Sequence, residues 1–137
     1  MATDGSDEAQ LAARTAAELA DKTASELHVI FVLPWPDETL RDLWGFDDKA
    51  RQEAETKGRA RLQELVEKME ASGGAVHEAR FKVGRPEVRI ISVAEEIGAG
   101  FIMMGRHGYG RIRRALMGSV SDYVVKHAHC PVTIIRD

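Results

Sequence analysis

Leu27-His28-Val29-Ile30-Phe31-Val32-Leu33 is a nearly continuous apolar run, stopped by Pro34. A strand with one wet face alternates apolar and polar side chains. A run without alternation suits a strand buried on both faces, as in parallel sheets covered by helices. The segments around it agree. After Asp4-Gly5-Ser6, Ala and Leu recur at positions 9, 12, 13, 16, 19 and 20, one face of a helix with Ser6 as its cap. A second long helix carries Ala50, Ala54, Gly58, Leu62, Leu65, Val66 and Met69 and stops at Gly73-Gly74.

A further strand alternates Ala79, Phe81 and Val83 inward with Arg80 and Lys82 outward, the pattern of an edge or of one wet face. Pro86 opens a third helix with Ile90, Ile91, Ala94 and Ile97, closed by Gly98-Ala99-Gly100. A strand is expected over 101–104, a helix over 119–128 and a last strand over 131–135. Alternating strands and helices predict an α/β fold, an open parallel sheet with helices on both faces. Ligands of such sheets bind beyond the C-terminal strand ends, at the switch point of the strand order.

That rule draws attention to Phe101-Ile102-Met103-Met104. Gly105-Arg106-His107-Gly108 follows it, and then Gly118-Ser119-Val120-Ser121 opens the next helix. A buried strand, a glycine-punctuated loop and a helix N-terminus together make a phosphate site, because glycines let backbone approach an anion and free N–H groups point at it. Arg106, Arg111, Arg113 and Arg114 make the loop locally positive. No Lys follows the glycines, so the loop is not of the Walker type. Nor is it Gly-x-Gly-x-x-Gly after a first strand, the dinucleotide fingerprint.

The remaining composition narrows the function classes. The 137 residues form one domain, with a formal net charge of −3 that argues against a general nucleic-acid binder. One cysteine excludes an internal disulfide and fits a reducing compartment. No apolar run approaches membrane-spanning length and no signal peptide is legible, so no membrane partner is expected and the cytoplasm is the expected location.

The spacing Gly-x2-Gly-x9-Gly-Ser over 105–119 resembles the ATP-binding signature of the universal stress protein family. So do Asp4-Gly5-Ser6 before an alanine-rich helix, the Val83-Gly84-Arg85-Pro86 turn, and the ending Gly118-Ser-Val-Ser-Asp-Tyr-Val-Val-Lys-His-Ala-His-Cys130-Pro131-Val. The resemblance spans essentially the whole chain. It implies a Rossmann-like, adenine nucleotide alpha hydrolase-like sheet of five parallel strands in the order 3-2-1-4-5, and a homodimer joined along strand 132–135. It also implies ATP as ligand, with magnesium. Carried over residue by residue, Gly105 and Gly108 pass beside the phosphates with Arg106 and His107 between them. Gly118, Ser119, Val120 and Ser121 hold phosphate oxygens. Asp4 sits by the ribose or a magnesium ion, with Thr3 before it in the same strand end and Ala2 beside the adenine. Val32 offers backbone to the base, and Met104 lines its pocket. Two features depart from the family pattern. Gly98-Ala99-Gly100 stands where an acidic residue is frequent, and only Met1-Ala2-Thr3 precede the Asp-Gly-Ser turn. A central strand normally runs about five residues, so the natural protein is expected to begin upstream of Met1.

Several other residues have a functional and a plainer reading. His127-x-His129-Cys130 has zinc-ligand spacing but no second pair nearby, and a histidine at a helix C-terminus is favoured by the dipole. Cys130 reads as a small buried residue, and His28 and His77, in predicted strands, carry no signal. Ser119 and Ser121 lack a histidine–carboxylate pair that would make them nucleophiles, which leaves hydrogen bonding as their role. Trp35, Trp44 and Phe46 lie in a long connection and are expected to cover core surface, the alternatives being a lid or a partner patch. The reading is an ATP-binding regulatory stress-response protein. The alternatives are a slow ATPase or phosphotransferase, disfavoured by the absence of a clear general base, and a nucleotide-free interaction module.

Overall fold

A computed structural model describes residues 1–106 and 117–136. The chain runs β1 (Ala2–Thr3), α1 (Asp7–Thr23), β2 (His28–Pro34), α2 (Glu38–Trp44), α3 (Asp48–Ala71), β3 (Glu78–Gly84), α4 (Pro86–Glu96), β4 (Ile102–Gly105), α5 (Ser119–His127) and β5 (Val132–Ile135). All strand pairs are parallel, and the ladders read β1-β2-β3 and β4-β5. β1 packs beside β4, so the spatial order is the expected 3-2-1-4-5, but no hydrogen-bonded ladder joins those two among the described residues. Successive residues of a parallel strand address opposite neighbours. A strand of two residues therefore has little left for β4 after pairing Ala2 with Ile30 and Thr3 with Phe31 in β2.

Local chemistry explains the elements. Ser6 caps α1, its hydroxyl accepting from Ala9 N at 3.3 Å, and Ala24 closes the helix in the left-handed region. Gly84 has φ +132°, with Arg89 Nε 3.1 Å from where its Cβ would stand, so the turn into Pro86 and α4 requires glycine. β2 is buried on both faces, as its unbroken apolar run requires. Leu27, Val29 and Phe31 pack against Ala13 and Ala16 of α1 and Leu62, Leu65 and Met69 of α3. Ile30 and Val32 pack the other way, with Ile90, Val93 and Ala94 of α4 and Val124 of α5. Helices thus cover both faces of the sheet.

Three expectations need correction. α2 stands where a structureless connection was expected, capped by Asp37, whose carboxylate accepts from Leu40 N at 3.0 Å. The aromatics there do not all cover the core: Trp44 is 61% exposed and Phe46 44% exposed. Phe46 instead sits between the two tryptophans, tilted against Trp35 with ring centroids 5.3 Å apart and edge-on to Trp44 at 6.3 Å. In β3, at the edge of its ladder, the inward–outward alternation is not kept: Ala79 is exposed and the Arg80 side chain is mostly buried, held to Glu78 Oε2 at 2.8 Å. At an edge strand a long cation can lay its stem along the sheet while its head stays paired.

At the N-terminal ends of the strands, a cavity of about 680 Å³ opens beneath Met1 between β2, β4, α1 and α4. Its walls include Leu19, Ile30, Ile97, Phe101 and Ile102. The Met1 amine is buried there, donating to His28 O at 2.8 Å, and burial pushes its pKa down from 8.0 to about 6. Among the described residues no helix is long and apolar enough to cross a membrane.

Candidate nucleotide site

The C-terminal ends of β1 and β4 lie side by side at the point where the strand order reverses, the position at which open α/β sheets bind ligands. Beyond β1 the chain makes a tight turn. Thr3 Oγ1 accepts from Gly5 N at 3.1 Å, Asp4 Oδ1 accepts from Ser6 N at 2.9 Å, and Gly5 takes φ +80°. Side-chain acceptors on successive N–H groups fix such a turn without help from the rest of the fold. Thr3 is buried, while Asp4 is half-buried at the rim.

At the end of β4, Gly105 lies against the first turn of α1. A Cβ on Gly105 would stand 3.1 Å from Glu8 C and 3.2 Å from Ala9 N. The first turn of α1 therefore approaches β4 closely only because residue 105 has no side chain. Arg106 N donates to Ile135 O at 3.0 Å, extending the β4–β5 ladder by one bond. Its guanidinium lies 4.0 Å from Glu8 Oε1, so the cation expected to face phosphate has an acidic neighbour that sequence spacing did not reveal.

Gly118 is tied to the same point. Its N–H donates to Arg106 O at 3.1 Å, and Ser121 Oγ donates to Arg106 O at 2.7 Å. Ser121 is 2% exposed, with Gly118 O 3.0 Å from its hydroxyl, so these bonds hold the N-terminus of α5 against the end of β4. Among the described residues no side chain caps α5. The N–H groups of a helix's first turn lack intrahelical acceptors, and they carry the positive end of the helix dipole. Here that turn comprises Ser119, Val120 and Ser121. Gly118 itself sits at φ −64°, ψ 154°, a conformation open to any residue.

The other expected site residues cluster around this point from below. Ala2, Val32 and Met104 are buried in one apolar cluster with Val124, and Val120 packs against it. The fold therefore gathers Ala2, Thr3, Asp4, Gly105, Arg106, Gly118, Ser119, Val120 and Ser121 at the ends of β1, β4 and α5. Val32 and Met104 form part of the floor. His107, Gly108, Arg111, Arg113 and Arg114 lie outside the described residues. Away from the site, His127 Nδ1 is 2.9 Å from Tyr123 O and His129 Nε2 is 2.8 Å from Ala99 O, so backbone carbonyls occupy both rings of the zinc-like spacing.

The fold is that of an open parallel α/β protein, with these residues gathered at its switch point. Residues 1–136 match the universal stress protein family, and the chain belongs to that family. Among relatives, universal stress protein YxiE of Bacillus subtilis is 32% identical over 143 residues, covering 99% of this chain and 96% of that protein. Protein MJ0577 of Methanocaldococcus jannaschii shares the fold at a TM-score of 0.83 and 24% identity, over 99% of this chain and 92% of that one. The universal stress protein from Archaeoglobus fulgidus, solved in complex with dAMP, superposes at a TM-score of 0.70 and 28% identity, covering 98% and 94% of the two chains.

Proposed function

We propose that this protein is a regulatory stress-response protein of the cytoplasm that binds an adenine nucleotide, ATP in the cell. The cradle would lie at the ends of β1, β4 and α5. The observation that carries the reading is the first turn of α5, without a side-chain cap among the described residues and pinned to the end of β4 by the Gly118 and Ser121 bonds to Arg106 O. Donors fixed in advance bind an anion without the cost of ordering them. The complex of the Archaeoglobus fulgidus relative with dAMP supports adenine nucleotide as the ligand class.

In this reading the backbone N–H groups of Ser119, Val120 and Ser121 take phosphate oxygens, and Gly118 leaves room for them. The Ser121 hydroxyl, already given to Arg106 O, serves as a brace. Ala2, Thr3, Val32 and Met104 form the side towards the base. Asp4 has given Oδ1 to Ser6 N–H, which leaves Oδ2 for the ribose or a magnesium ion. Bound nucleotide would alter the protein's shape or its choice of partner.

Mass spectrometry of small molecules released from the purified, denatured protein tests the ligand directly. An adenine nucleotide near one equivalent per chain is expected. A protein that carries none, and binds none of ATP, ADP or dAMP when they are added at millimolar concentration, would overturn the reading.

A further inference from the structure

Two histidines that carry no signal in the sequence meet at the opposite end of the sheet. The ladder pairs His28 of β2 with Glu78 of β3, and His77 N donates to Leu27 O at 2.8 Å just before it. Backbone pairing thus fixes the two strand starts side by side. On them, the His28 and His77 rings lie with centroids 4.9 Å apart. Glu26, in the turn before β2, places Oε2 3.5 Å from His28 Nε2 and 3.6 Å from His77 Nε2. The three ligating atoms all lie within 4.8 Å of one another.

The two glutamate–histidine separations are those of a coordination sphere, and the two histidine nitrogens lie within reach of closing to one. Nitrogen and oxygen ligands stand about 2.0–2.2 Å from zinc, and at tetrahedral angles they are then about 3.3–3.6 Å from each other. The surroundings complete the pattern. His28 Nδ1 is buried and has no hydrogen-bond partner, and Glu78 Oε2 stands 3.8 Å from it. Glu78 is in turn held by Arg80 Nη2 at 2.8 Å. A metal-bound imidazole characteristically gives its other ring N–H to a carboxylate, which fixes its tautomer and orientation. Glu78 needs to close by less than 1 Å to serve His28 in that way. Glu26 and His77 are exposed at the surface, so an ion can enter from solvent, and a three-ligand site keeps a position for water.

We propose that Glu26, His28 and His77 form a site for a divalent transition-metal ion of the zinc type, with Glu78 as the outer carboxylate behind His28. The site is remote from the nucleotide cradle. It ties the start of β2 to the edge strand β3.

The test uses the untagged full chain in nucleotide-free buffer, titrated with Zn²⁺ by calorimetry and with Co²⁺ by visible absorption. One equivalent of Zn²⁺ is expected, with a four-coordinate Co²⁺ spectrum and a rise in melting temperature on adding Zn²⁺. His77→Ala, at a half-exposed position where folding is not at stake, should weaken binding about a hundredfold and abolish the Zn²⁺-dependent rise. Glu78→Gln should weaken it about tenfold, as loss of an outer-sphere partner does. His129→Ala should leave it unchanged. Absence of saturable binding up to about millimolar Zn²⁺ would show a histidine–glutamate ion-pair cluster only. Equal affinity in His77→Ala, or loss in His129→Ala, would likewise overturn the proposal.

Discussion

Gly105 is read from sequence as a phosphate-loop glycine, yet its surroundings give it a second duty. The place its Cβ would take is 3.1 Å from Glu8 C and 3.2 Å from Ala9 N, and helix backbone yields less than a side-chain tip. Gly105→Ala is expected to destabilise the fold by about 1–3 kcal/mol, the usual cost of overpacking. The melting temperature should fall by several degrees. An unchanged melt would mean that α1 does not sit as close to β4 as described. Gly118 differs. Its φ of −64° needs no glycine, so a side chain there acts on the ligand and not on the backbone. At this scale the sequence was informative wherever a residue acts through its own neighbours along the chain. Ser6 announced the cap of α1 and Pro86 the start of α4, because capping and ring geometry are local. Glu8 beside Arg106, and Glu26 between His28 and His77, were not legible. Their partners are brought near by strand pairing and helix packing, and neither leaves a mark on spacing.

Among the elements, those with a full turn or ladder of apolar residues were read correctly in kind and nearly in extent. α2 leaves no signal in the sequence because its seven residues, Glu38–Trp44, bury too little to show a helical stripe. Its Leu43 is 78% exposed. β1 spans only Ala2–Thr3. Where Met1 carries the free α-amine, that amine lies inside the sheet, and this makes a pH prediction. The folded amine has a pKa lowered from 8.0 to about 6 by burial, so the unfolded chain binds the proton more tightly. Stability from this group is therefore full above about pH 8. It falls as pH drops through that window, and the loss is complete below about pH 6. A shift of this size corresponds to about 2–3 kcal/mol. Melting curves between pH 5.5 and 8.5 should show the loss, and the Nα-acetylated chain, which has no titrating amine, should lack it. Parallel curves for the two forms would contradict the burial of Met1.

At the level of the molecule, the class of fold followed from the unbroken apolar run of β2 and the alternation around it, since only a parallel sheet buried on both faces accommodates both. The break between β1 and β4 could not be read, because it depends on how many hydrogen bonds two residues can form. The apolar strand β5 has β4 on one side and no strand on the other among the described residues. Ile102 N donates to Pro131 O and Arg106 N to Ile135 O, so the odd-numbered residues of β5 face β4. Val132 and Ile134 then address the outer edge. An unprotected apolar edge invites pairing, and a homodimer along it is the expected state. Light scattering at tens of micromolar should give twice the chain mass, and Val132→Pro, which removes an outward donor, should give the monomer. A monomeric parent protein, or a dimer indifferent to Val132→Pro, would place the interface elsewhere or nowhere.

The first turn of α5 is the proposed seat of an adenine nucleotide's phosphates. Charge-assisted hydrogen bonds contribute about 1.5–3 kcal/mol each, so displacing phosphate from two of them weakens binding about a hundredfold or more. Calorimetry of ATP binding to the parent protein, Ser119→Ala and Gly118→Val, each first stripped of bound nucleotide, measures this. Saturable binding to the parent is expected, with about tenfold weaker binding to Ser119→Ala and none detectable to Gly118→Val at an unchanged melting temperature. Equal ATP affinity in the parent and a folded Gly118→Val would show that the N-terminus of α5 is not the phosphate site.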